Sequence, residues 1–104
     1  MEIIFEEEYL QNLYEYGKTK DKKYFLPNGV AKKYKETIDK LKAASTTTEL
    51  LPINSLNYKK LSGDKKGIES VRVNLKYRIE FISENDAQQT LTICRIIALS
   101  NHYE

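Results

Sequence analysis

Two arginines, Arg72 and Arg78, are the residues of this 104-residue chain best placed for chemistry on an anion. Around them Glu69, Val71 and Val73 alternate with Ser70, Arg72 and Asn74. Tyr77, Ile79 and Phe81 then alternate with Lys76, Arg78 and Glu80, the period of two half-buried strands joined as a hairpin. If Val71, Val73, Tyr77, Ile79 and Phe81 all face one core, the loop must be odd. The simplest loop is Asn74, Leu75 and Lys76, which pairs Val73 with Tyr77 and sets Arg72 opposite Arg78. Facing like charges weaken a strand pair by roughly 0.2 to 1 kcal/mol, and a phosphate between them would relieve the conflict. The alternative is that Glu80 or Ser70, on the same face, satisfies the arginines and nothing binds. Lys59, Lys60, Lys65 and Lys66 stand just before the hairpin and add to the same positive field. Tyr58 and Tyr77 flank the stretch and offer rings for base stacking, although a tyrosine packed over the loop accounts for Tyr58 equally well.

The whole-chain charge conceals this region. Seventeen Lys and Arg against fifteen Asp and Glu leave only +2. By segment, residues 1–16 carry −5, residues 17–49 carry +5, residues 59–78 carry +5 and residues 79–104 carry −3. For the lysine run at 18–23 a solvated loop is the better reading. Composition, at 40% hydrophobic and 31% charged, indicates a globular chain, and the length indicates a single domain over 1–104. No stretch approaches the roughly 18 apolar residues of a membrane span, and the acidic start does not resemble a signal peptide, so a cytoplasmic location is expected. Cys94 is the single cysteine and His102 the single histidine. Together they make neither a disulfide nor the usual zinc site, so no metal is expected.

The elements that must position these residues follow from periodicity. Glu2 to Phe5 suits a short strand, and Phe5, Tyr9, Leu10, Leu13 and Tyr14 recur at helical spacing up to Gly17. Pro27, Asn28 and Gly29 start a second helix, with Val30, Tyr34, Thr37, Ile38 and Leu41 on one face, running to about Ala44. The connection from Leu50 to Asp64 looks irregular. Loops beyond roughly 12 to 15 residues tend to be functional or to hide a short strand, which makes this one a candidate working surface. Glu84, Asn85 and Asp86 are expected to turn, and TLTICRIIAL forms a last strand, apolar on both faces and so central in the sheet.

The run LSGDKKGIESVRVNLKYRIEF, followed by a terminal His-Tyr, resembles the RelE/ParE superfamily of bacterial type II toxins, and within it the HigB-like branch. The most specific part is Leu-x-Gly-Asp-x-x-Gly at Leu61, Gly63, Asp64 and Gly67. It is followed by Ser-x-Arg-Val at Ser70, Arg72 and Val73, then Tyr-Arg-Ile at Tyr77, Arg78 and Ile79. The N-terminal part matches in pattern alone. The resemblance implies an α+β, RelE-like fold with two N-terminal helices packed on a small, mainly antiparallel twisted sheet. It also implies a ribosome-dependent endoribonuclease that cuts mRNA in the ribosomal A site, needs no cofactor, and is held inactive by a cognate antitoxin.

In such enzymes the ribose 2′-hydroxyl attacks the adjacent phosphate, so the protein must orient the RNA, move protons and stabilise added negative charge. By resemblance, Arg78 stabilises that charge and Arg72 holds a backbone phosphate. His102 and Tyr103 match a His-Tyr pair that transfers protons or stacks on a base, and an imidazole that titrates near pH 6.5 suits proton exchange. Lys59, Lys60 and Lys65 supply positive charge toward RNA and ribosome. The chain departs from the pattern at Lys59 and Ser62, where HigB-like members usually carry a histidine and a lysine around this leucine. The general base is therefore unassigned, since an ordinary lysine, with a pKa of about 10.4, is a poor base at neutral pH. Two other readings compete: a toxin fold without nuclease chemistry, such as a ParE-like gyrase inhibitor or an inert partner-binding module, and a generic RNA-binding domain. The latter lacks the usual RNA-binding signatures.

Overall fold

The computed structural model describes residues 1–21, 24–85, 88 and 91–101; Asp86, His102 and Tyr103 lie outside the described residues. Strand β1 (Glu2–Phe5) leads into helix α1 (Glu8–Tyr16), and helix α2 (Val30–Ala43) follows. Next come strands β2 (Lys59–Lys60), β3 (Glu69–Arg72), β4 (Arg78–Asn85) and β5 (Thr92–Ser100). Among the described residues the sheet order is β1-β5-β4-β3-β2, with β1 and β5 parallel and the other neighbouring pairs antiparallel. This is the α+β arrangement expected from the sequence.

Each helix forms where its apolar residues recur at helical spacing. Leu10 and Leu13 of α1 are buried, and Gly17 ends the helix at φ 74°, a left-handed conformation that glycine adopts without a Cβ penalty, its N–H bonding to the Leu13 carbonyl. Val30, Tyr34, Thr37, Ile38 and Leu41 form the buried stripe of α2. The Tyr34 hydroxyl donates to the Leu10 carbonyl at 2.8 Å and ties the helices together. Burial holds the Tyr34 phenol well above the ordinary tyrosine range.

The helices share one core with Val71, Val73, Ile79 and Phe81 of the hairpin and Cys94 and Ile96 of β5; Tyr77 packs against it. Arg72 pairs with Arg78, and the Val73 N–H bonds to the Tyr77 carbonyl at 2.9 Å, so the three-residue turn at 74–76 is present. Asn74 fixes that turn by accepting from the backbone N–H groups of Lys76 and Tyr77.

The apolar run of β5 has a specific cause. Glu80 pairs with Ala98 but Phe81 with Ile96, so Ile97 is an extra residue in the ladder. This bulge shifts the parity, keeping Cys94, Ile96 and Leu99 on the helix side while Ala98 and Ser100 lie opposite. Two expectations change. Glu84 and Asn85 do not turn but extend β4, paired with Ile93 and Thr92, because the strand continues until its ladder with β5 ends. The connection after α2 is also more regular than it reads, with single turns of 3-10 helix at Thr47–Leu50, Asn54–Leu56 and Gly63–Lys65 around β2. Its first turn carries a Thr46 and Glu49 capping box, and Leu50 and Leu56 anchor the segment in the core.

Candidate functional site

Side chains of residues opposite each other across antiparallel strands share a sheet face. On the face opposite the helices, one row therefore runs Lys59, Ser70, Glu80 and Ala98, and the next runs Arg72, Arg78 and Ser100. Lys65 reaches the same face through an ion pair with Glu80 at 2.6 Å. Lys59, Lys65, Arg72 and Arg78 are thus gathered on one surface from four segments of chain. Lys60 is exposed beside them but opposite Glu69, on the alternate parity of the edge strand. His102 and Tyr103 are outside the described residues; in sequence they follow Ser100, the partner of Arg78.

Arg78 is set deeper than its expected role suggests, at 4% exposure. Its Nε donates to Ser70 Oγ at 2.9 Å, and its Nη2 donates to the Asn57 carbonyl at 2.5 Å and the Ser70 carbonyl at 3.3 Å. Of the ways to relieve the Arg72 and Arg78 juxtaposition, Ser70 is used, and Arg78 turns toward it within the sheet. Glu80 is engaged by Lys65. The cationic surface therefore has a buried guanidinium beneath a half-exposed Arg72 and an exposed Lys59. A guanidinium keeps its charge when buried, and that charge adds to the field of the surface above it.

Sequence reasoning marked the segment from Leu50 to Asp64 as a working surface but did not single out Asn57, whose carbonyl holds Arg78. Asn57 takes a left-handed conformation, φ 42° and ψ 54°. Among the described residues it is the single non-glycine with positive φ, and asparagine tolerates that region better than most residues. The next residue, Tyr58, donates its hydroxyl to Glu69, which also accepts from the Ser83 backbone N–H at 3.0 Å and Ser83 Oγ at 2.5 Å. Burial, reinforced by the bond to Glu69, pushes the Tyr58 phenol up to about 12. The packed-tyrosine reading of Tyr58 therefore describes its place in the fold. The signal that was available is an Asn-Tyr pair directly before Lys59 in a loop without glycine.

Two neighbouring features carry less chemistry. Burial, with the Glu69 charge adding to it, pushes the Cys94 thiol up to about 12, so it is no ready nucleophile. A groove of about 870 Å³ lies along α1, lined by Tyr9, Tyr16, Tyr24 and charged residues of both signs, and includes none of the expected site residues.

A family model described as the RelE-like toxin of the type II toxin-antitoxin system HigB matches residues 3–93, spanning β1 into β5. The chain belongs to the HigB-like toxin family. This HigB-like chain is similar in structure to a YoeB/ParE toxin from Agrobacterium tumefaciens, with a TM-score of 0.57 and 14% identity over 99% of this chain and 100% of that one. It is also similar to the toxin fold in a YoeB-YefM complex and in a YoeB dimer, both from Staphylococcus aureus. Their TM-scores are 0.51 and 0.52, each at 20% identity over 99% of this chain and 98% of the other. At such identities these likenesses speak to the fold. No curated protein matches the sequence. The family match covers the Leu61 to Gly67 run, both arginines and all the lysines named above, and stops short of His102 and Tyr103.

Proposed function

We propose that this HigB-like toxin is a single-domain, ribosome-dependent mRNA endoribonuclease that acts in the cytoplasm and is held inactive by a cognate antitoxin. The observation that carries the reading is the gathering of Lys59, Lys65, Arg72 and Arg78 on one sheet face in a chain of this family. RNA lies across that face, with Arg72 on a backbone phosphate and Lys59, Lys60 and Lys65 on neighbouring phosphates of messenger or ribosome. The 2′-oxygen attacks the adjacent phosphorus as its proton passes to a base. The 5′-oxygen leaves as it takes a proton, and a cyclic phosphate remains. Arg78, just below, stabilises the charge that builds on the phosphate. His102 moves a proton, and Tyr103 stacks on a base or shares the proton transfer. An antitoxin partner is supported by the solved YoeB-YefM complex, whose toxin has this fold.

One observation favours a second reading, a toxin fold without nuclease chemistry: Arg78 has little surface to offer a substrate. Induction of the protein alone in a bacterial host, with mapping of transcript ends, separates the two. New 5′ ends within translated messages are expected. Growth arrest with intact transcripts would establish the second reading.

A further inference from the structure

We propose that Asn57 is a positioning residue, whose left-handed backbone latches the lysine-bearing edge of the sheet onto Arg78. The inference rests on the reading of this face as an RNA surface. Three observations converge on it. The Asn57 conformation turns its carbonyl inward to Arg78 Nη2, at 2.5 Å. Its side-chain amide bonds to no described residue, so the asparagine serves its backbone. The chain leaves this turn directly into Tyr58, anchored on Glu69, and then into Lys59 and Lys60, which pair with Ser70 and Glu69.

Successive groups of the segment thus engage opposite faces of the sheet. The Asn57 carbonyl meets the guanidinium on one face, and the Tyr58 ring enters the core on the other, near Phe81. Strand β2 is only two residues long, too short to set its own direction through ladder bonds. The latch sets it, and so fixes where the Lys59 and Lys60 ammonium groups stand relative to Arg72. In this arrangement Arg78 acts on RNA in two ways, through its charge and through the lysines it holds in place.

The test compares Asn57→Gly, which permits positive φ, with Asn57→Val, whose branched side chain disfavours it. Binding of purified full-length protein to a single-stranded RNA oligonucleotide is read beside the guanidinium resonances of Arg78 and the backbone amide resonances of residues 58–60. Asn57→Val should weaken RNA binding about tenfold and shift both sets of resonances, whereas Asn57→Gly should retain wild-type affinity and spectrum. Wild-type affinity in a folded Asn57→Val protein whose Arg78 resonances have shifted would overturn the positioning role. An unshifted Arg78 spectrum would overturn the latch itself. If the wild-type protein neither binds nor cleaves RNA, the functional reading of the face fails instead, and the spectra still report the latch.

Discussion

Glu69 is buried on the helix side of the sheet, and Arg78 is buried on the opposite side, where Glu80 is buried as well. On the helix side Glu69, at 7% exposure, accepts from Tyr58 and from both donors of Ser83, with no cation partnering it among the described residues. On the opposite side Arg78, at 4% exposure, donates to Ser70 and to the Asn57 carbonyl. Several hydrogen bonds make each burial tolerable. The surroundings separate them. Glu69 acts on the buried Cys94 thiol, and its partner Tyr58 packs against the core. Arg78 lies among Lys59, Lys65 and Arg72, where its charge reinforces a surface field. The same chemical device therefore serves stability on one face and recognition on the other.

The largest expected effects come from removing Arg78 or Glu69. Arg78→Ala and Glu69→Ala should each cost about 2 to 4 kcal/mol of stability, because each strands several buried hydrogen-bonding groups. Denaturant unfolding measures this. The variants should then part in RNA binding at equal folded fraction. Arg78→Ala lowers affinity and flattens its salt dependence, whereas Glu69→Ala leaves the salt dependence unchanged. Equal salt slopes for the two would erase the distinction between the faces. The stability cost also means that loss of toxicity in Arg78→Ala is interpretable only beside the fold measurement, and Arg78→Lys, which keeps the charge, is the better probe of the fork.

Next in size are the exposed cations. Arg72→Gln and Lys59→Gln should change stability by no more than about 0.5 kcal/mol. Each should lower the slope of log affinity against log salt by about 0.7, the increment expected when one phosphate of a single strand is no longer neutralised. Lys66→Gln, in an exposed turn off the sheet rows, is the control and should leave the slope unchanged. A slope that falls equally for Lys66 would show diffuse attraction instead of phosphate positions set by the sheet.

What was legible in the sequence divides along the same line. The helices, the hairpin register and the Arg72 and Arg78 juxtaposition follow from periodicity and parity, because a buried face imposes its spacing on the residues that fill it. The depth of Arg78 does not follow, since it depends on where a distant loop carbonyl, that of Asn57, is placed. Nor does the continuation of β4 through Glu84 and Asn85, which read as turn residues until β5 supplies their partners. The bulge at Ile97 is likewise a property of two strands together, invisible in TICRIIALS by itself. For the site, sequence named the cations that share the face and the serine that engages Arg78. It missed Asn57 and Glu69 because a backbone carbonyl and a buried carboxylate leave no spacing pattern.

The smallest expected effect on RNA binding comes from Tyr58, the link between the two faces. Tyr58→Phe removes one donor from Glu69 and should cost about 1 kcal/mol near neutral pH. The pH dependence gives the sharper test. Burial and the Glu69 bond raise the Tyr58 phenol from 10.0 to about 12, so the folded protein holds this proton where the unfolded chain has released it. Between those values the unfolded state binds fewer protons than the native state, and stability falls as pH rises. The phenol's contribution is complete below pH 10.0 and is lost as pH climbs toward about 12. Wild type and Tyr58→Phe should therefore differ most below pH 10.0 and converge above it, while the raised Tyr34 titrates in both and cancels from the comparison. Thermal unfolding of the pair across this range measures the gap. A gap that stays constant with pH would mean that Glu69 does not hold the Tyr58 proton, and that the segment before Lys59 is anchored by the Asn57 carbonyl and the packing of the ring alone.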